Sequence, residues 1–126
     1  MLFAVNGTLM RGLELNPNML AAGGVFVREA MTAPVYRLWS MEDRYPGMVR
    51  VAERGASIAL ELWDVEGAGL VQVLEKEPPG LSVGRVLLDD NSQVLGVLAE
   101  TYATVGMKEI TSFRGWRAYS ATLRVP

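Results

Sequence analysis

Two stretches of this chain hold residues whose types and spacing could do chemistry, and the first is Asn6-Gly7-Thr8-Leu9, where the apolar run Leu2-Phe3-Ala4-Val5 breaks into a glycine turn. A glycine with nothing over it leaves the neighbouring backbone N–H groups open to a ligand, because no Cβ blocks the approach. The spacing matches neither a Walker loop nor a dinucleotide fingerprint, so the expected guest of Asn6, Gly7, Thr8 and Leu9 is a carboxylate or an amide rather than a nucleotide phosphate. The second stretch is Glu75-Lys76-Glu77, at the end of an expected helix and just before Pro78-Pro79. The negative end of a helix dipole disfavours a carboxylate, which raises the pKa of a partly buried one and suits it to accept a proton. Plainer readings exist for both: a core strand with an ordinary turn, and a solvated charged turn. Residue type alone leaves them open.

The inventory of side chains narrows the chemistry further. Histidine and cysteine are both absent. That removes the commonest general base, the commonest zinc ligand, the centre of a Ser-His-Asp triad, any cysteine nucleophile and any disulfide. Acid–base work near neutral pH would fall to a carboxylate with a raised pKa, and neither a metal nor a cofactor is expected. The net charge is −2 and the arginines are scattered singly, so the concentrated basic stripe of a nucleic-acid binder is missing. No apolar run approaches the ~18–20 residues of a membrane helix, and the short apolar opening lacks the basic flank and cleavage site of a signal peptide. A cytoplasmic protein without membrane contacts is expected.

These residues must be held by a small framework. With 126 residues, half of them hydrophobic, the chain is read as one domain over residues 1–126. After the first strand, Asn16-Pro17 starts a helix of at most two turns that Gly23-Gly24 stops. Val25 to Arg28 and Ala33 to Trp39 read as strands around a break at Ala30-Met31-Thr32, the second covered on both faces. Met41 to Gly47 reads as a polar loop, followed by a strand from Met48 to Glu53. In Ser57 to Asp64 the period of two is clear: Ile58, Leu60 and Leu62 on one face, Ala59, Glu61 and Trp63 on the other. Glu61 is the odd member, and a half-exposed face is expected to accommodate it.

Asp64 stands where an N-cap belongs, ahead of a helix from about Val65 to Lys76 that the prolines end. Asp89-Asp90-Asn91-Ser92 joins a hairpin. Ile110, Phe113, Trp116 and Tyr119 recur every three residues, which suits a helical turn packing aromatics on the core. Strands that follow one another through turns favour an antiparallel or mixed curved sheet within an α+β fold.

The order of these pieces resembles the C-terminal domain of allophanate hydrolases, a member of the gamma-glutamylcyclotransferase-like group. The resemblance is carried by Gly7-Thr8-Leu9-Met10-Arg11-Gly12-Leu13-Glu14-Leu15-Asn16, by Thr32-Ala33-Pro34-Val35-Tyr36-Arg37-Leu38, and by Pro46-Gly47-Met48-Val49-Arg50-Val51. Ile58-Ala59-Leu60-Glu61-Leu62-Trp63, Gly80-Leu81-Ser82-Val83-Gly84, the strand Val94 to Glu100 and the stretch Glu109 to Tyr119 extend it. It implies a small mixed or antiparallel β-barrel with short flanking helices and a cavity at the Gly7 turn. In cyclotransferases of this group the turn backbone binds substrate, while a glutamate takes a proton from the amine that attacks the γ-amide carbonyl. The spacing to a later arginine-valine pair, here Arg85-Val86, places that glutamate at Glu77, with Glu61 in reserve.

Departures from the pattern matter as well. Asn6 stands where cyclotransferases carry an aromatic residue, Pro78 where they carry a glycine, and Thr8 where allophanate-type domains often carry a histidine. Whole allophanate hydrolysis is not expected without an amidase, nor is a histidine-dependent step. Two readings follow: a module that binds a small carboxylate or amide, or a small-molecule enzyme of cyclotransferase or decarboxylase type using Glu77 as general base. Pairing with a second copy as a homodimer stays open.

Overall fold

The computed structural model describes residues 1–124, and its organisation starts from the alternating segment that contains Glu61. This strand, β5 (Ala59–Asp64), lies between β1 (Leu2–Val5) and β2 (Val25–Met31), antiparallel to both. Beyond β1 come β7 (Gln93–Ala99), parallel to it, and then β6 (Leu81–Leu87), antiparallel to β7. The sheet order is therefore β2-β5-β1-β7-β6. A second sheet sets β3 (Tyr36–Met41) between β4 (Tyr45–Arg50) and the short β8 (Lys108–Glu109). Three helices complete the framework: α1 (Asn16–Ala21), α2 (Gly67–Glu75) and α3 (Trp116–Ala121). Phe3, Met19, Tyr36, Leu38, Ile58 and Leu62 are sealed from solvent at the centre of the core. Among the described residues, no helix is long and apolar enough to cross a membrane.

The α+β character is as expected, but the barrel is not closed. Among the described residues the outer strands of the large sheet meet only at one end, where Ala33 N–H donates to Leu87 O at 3.0 Å and Asp89 N–H to Met31 O at 3.0 Å around the bridge Thr32↔Leu88. The half-exposed face expected for β5 is also corrected: Leu60, Glu61, Leu62 and Trp63 are all buried, because the segment after β1 and helix α3 cover the side that a two-layer reading leaves open. The break near Ala30 falls later, since β2 runs on to Met31. There Thr32 Oγ1 accepts the Ile58 N–H at 2.9 Å and donates to Ala33 O at 2.8 Å, ending the strand by taking its hydrogen bonds elsewhere.

The stretch from Met41 to Gly47 is a hairpin rather than a loop. Glu42 and Asp43 hold φ of 56° and 61°, the left-handed pair that a tight β-turn demands, so Pro46 and Gly47 fall inside β4 instead of making the turn. Proline is tolerated because β4 is an edge strand. The hairpin tip is tied to α3: Asp43 Oδ1 accepts the Tyr119 hydroxyl at 2.6 Å and the Ser40 hydroxyl at 2.7 Å, which hold the Asp43 carboxyl below its ordinary pKa.

The helices follow the sequence reading in place if not in detail. Leu70 and Val73 carry α2 onto the core, although Glu66, not Asp64, stands at its N-cap position. Of the four spaced residues near the end, Ile110, Trp116 and Tyr119 are buried, while Phe113 stays at the surface with its ring edge-on to Tyr119.

Leu62 is fully buried in the strand that β1 and β2 both use, and cavity formation there cannot be relieved by collapse of an edge. Leu62→Ala is expected to destabilise the protein by about 2–5 kcal/mol, read from urea unfolding at unchanged m-value.

Candidate functional site

The turn that follows β1 is built by close packing. Asn6 is buried, and its side-chain amide donates to Val97 O at 3.0 Å, so it locks β1 to β7. Gly7 is not uncovered as the sequence suggested: a Cβ there would stand 2.6 Å from Pro46 Cδ, so β4 approaches too closely for any other residue. Met10 N–H donates to Gly7 O at 3.0 Å and Leu15 N–H to Thr8 O at 2.9 Å, which fixes the turn from its carbonyl side. The N–H groups of Gly7, Thr8 and Leu9 have no acceptor among the described residues. Main-chain N–H groups without a protein acceptor are the donor type that holds an oxyanion or a carbonyl oxygen.

Glu77 stands beside that turn. It follows the last turn of α2, where its N–H donates to Leu74 O at 3.1 Å, and the prolines behind it send the chain into β6. Its side chain joins Gly7, Thr8, Leu9, Tyr45 and Pro46 around a recess of about 20 Å³. Roughly 10–15 Å³ is needed for one water, so the recess admits a single oxygen atom and not a whole ligand. Larger hollows flank it. One of about 330 Å³ shares Tyr45 and Leu81 and includes Arg44, and one of about 250 Å³ shares Glu77, Leu81 and Val97. Burial alone pushes the Glu77 carboxyl up to about 7, poised to gain or lose a proton near neutrality.

Glu61 is in the opposite electrostatic situation. Its Oε1 accepts the Arg11 main-chain N–H at 2.9 Å and the Trp63 indole N–H at 3.1 Å, and its Oε2 accepts Arg11 Nε and Arg117 Nη2, each at 3.1 Å. Burial would raise its pKa, but the bonds from Arg11 and Trp63 outweigh it and hold the carboxyl below its usual range. A carboxylate with four donors has no free lone pair for a substrate proton. Its geometry is that of an anchor. Arg11 is in turn clamped by Glu29 at 2.8 Å and stacks 3.6 Å above the Phe26 ring.

The structure thus brings Asn6, Gly7, Thr8, Leu9 and Glu77 to one recess, with the Asn6 amide spent on β7, and sets Glu61 apart with Arg11 and Arg117. Tyr45 was missed as a wall of the turn recess. No spacing in the sequence signals it, because it reaches the turn through the hairpin. Among the described residues no group of three or more acidic side chains is arranged to hold a metal ion.

The sequence model of the allophanate hydrolase C-terminal domain matches residues 1–121. The chain belongs to that family. A uropathogenic Escherichia coli-specific protein of known structure is 55% identical to it and superposes with a TM-score of 0.93, with 95% of this chain and 94% of that one covered. Allophanate hydrolase of Kluyveromyces lactis is 24% identical with a TM-score of 0.93, over 98% of this chain and 21% of the enzyme, so the resemblance concerns about a fifth of that protein. The same fold recurs in an uncharacterised Pyrococcus horikoshii protein, 18% identical with a TM-score of 0.75 over 98% of this chain and 95% of that one. No curated protein sequence matches.

Two expectations follow from the contrasting carboxylates. Glu61→Ala removes the acceptor of two half-exposed arginines and of the buried Trp63 indole, and should cost about 1–3 kcal/mol in urea unfolding. For Glu77, the folded chain binds the proton more tightly than the unfolded one between the ordinary value of 4.5 and about 7. Its contribution is therefore fully present below 4.5, declines as pH rises through about 7, and is flat above it. Glu77→Gln should abolish that decline and be the more stable form near pH 8, by up to about 3 kcal/mol, with urea midpoints at both ends of the window as the check.

Proposed function

We propose that this chain, read as one domain over residues 1–126 and cytoplasmic, binds a small carboxylate or amide at the Gly7 turn and exchanges a proton with it through Glu77. The observation that carries this reading is one recess lined both by Gly7, Thr8 and Leu9, whose N–H groups have no acceptor among the described residues, and by Glu77, whose carboxyl is pushed by burial up to about 7. The donors of Gly7, Thr8 and Leu9 would receive the ligand's oxygen, where the recess has room for one atom, and the body of the ligand would lie along the flanking hollows toward Arg44 or toward Ser82. Membership of the allophanate hydrolase C-terminal domain family supports a nitrogen- and carbonyl-rich substrate such as an amide, urea or carbamate.

In the enzymatic form of this reading Glu77, ionised above about pH 7, takes a proton from an attacking amine while the turn steadies negative charge on the carbonyl oxygen. A purely binding role is favoured by one specific observation, the narrowness of the recess. The two are separated by measuring both ligand stabilisation and turnover. A thermal-shift series with dicarboxylates, ureas and gamma-glutamyl amides is expected to raise Tm, since a ligand bound only by the folded form stabilises it. Catalysis predicts turnover of one of these that Glu77→Gln reduces by roughly 10²–10⁴-fold while the shift persists. Stabilisation without turnover in the parent protein marks a binding module, and unchanged turnover in Glu77→Gln removes Glu77 from the chemistry.

A further inference from the structure

A second concavity lies away from the turn recess and has no part in the reading above. It is a cleft of about 580 Å³ between the β2–β5 face and the segment from Phe113 to Ala118, inside the range of small-molecule sites. Its walls are mainly apolar, with Met10, Met31, Leu60 and Trp116 among them. Its polar groups converge: Glu61 closes the floor, and Arg114 and Arg117 stand along one side.

The cleft is lined by two arginines, Arg114 and Arg117, and two carboxylates, Glu29 and Glu61, and Arg11, outside the lining, bonds both carboxylates, so that this cluster as a whole carries one positive charge. Arg11 is consumed by its bonds to both glutamates. Arg117 uses only Nη2, toward Glu61 Oε2 at 3.1 Å and Arg11 O at 3.0 Å, and Arg114 makes no side-chain hydrogen bond or ion pair among the described residues. Donors therefore remain at the edge of an apolar hollow, anchored from below by a buried carboxylate. The edge itself is held: Arg114 keeps a left-handed φ of 61°, and its carbonyl accepts the Ala59 N–H at 2.8 Å. A non-glycine residue kept in that region marks a place where surrounding contacts fix the backbone.

We infer that this cleft is a second ligand site, for an amphipathic monocarboxylate whose apolar body rests on Met31, Leu60 and Trp116 and whose carboxylate is held by Arg114 and Arg117. A single net positive charge matches a monoanion better than a phosphate dianion, and planar guanidinium groups suit a carboxylate's two oxygens. Glu77 takes no part, so the site stands or falls independently of the chemistry assigned to the turn.

The methionines supply a local readout. Met10 and Met31 line this cleft, whereas Met41 and Met107 line the hollow beside Tyr45. With 13C-methyl-methionine protein, titration with 1-naphthylacetate is expected to shift the Met10 and Met31 resonances and leave Met41 and Met107 in place. The neutral amide of the same compound should need at least about tenfold higher concentration, the loss of one charge-assisted hydrogen bond. Inorganic phosphate should not compete at matched ionic strength. Arg114→Gln, at an exposed side chain, should weaken binding of the acid several-fold and narrow its advantage over the amide, Arg117 remaining, and Ala118→Trp should fill the cleft and abolish both shifts while Glu77→Gln changes neither. Equal binding of acid and amide to the parent protein, shifts confined to Met41 and Met107, competition by phosphate, or full binding by Arg114→Gln would each overturn the assignment.

Discussion

A carboxylate in the middle of a sheet is strongly unfavourable unless its lone pairs are answered, because transfer out of water removes hydration that only well-placed donors replace. At Glu61 the donors come from three directions: the segment after β1 through Arg11, α3 through Arg117, and the same strand face through Trp63. β5 can occupy the position between β1 and β2 only if those parts of the chain close over it. The anchoring of Arg11 in turn sets the course of the chain just beyond Gly7, Thr8 and Leu9, so the turn depends on a carboxylate that never reaches it. Among the described residues, every fully buried side-chain nitrogen and oxygen has a partner.

The contrast between Glu61 and Glu77 shows how environment separates two residues of one type. Four donors hold the first ionised, and it becomes part of the scaffold. The second lies among Val5, Leu81 and Val97 with burial as the only influence on its titration, and its proton becomes available near neutral pH. An acid without a partner in such surroundings is unfavourable for folding in its charged form.

Local signals were legible where the chain folds against its own neighbours. The alternation of β5, the stop at Pro78-Pro79, the Asp89 to Ser92 hairpin and the short helix after Asn16-Pro17 all depend on residues within a few positions of one another. The pairing of Glu77 with the Gly7 turn came from the family pattern, and the structure does place them side by side. What the sequence hid was long in range. Glu61 is separated by 50 positions from Arg11 and by 56 from Arg117, so nothing near it announces that its charge is answered. Pro46-Gly47 carries the look of a turn, yet Glu42 and Asp43 take the left-handed positions and draw both residues into a strand. The cover that Pro46 places over Gly7 follows from that shift and was invisible for the same reason.

Pro46 roofs the turn recess, and the hairpin carrying it is fastened at its tip to Tyr119 on α3, whose neighbours Trp116 and Arg117 form one bank of the large cleft. The hairpin that covers the turn and the helix that banks the large cleft are therefore joined through one phenolic hydroxyl.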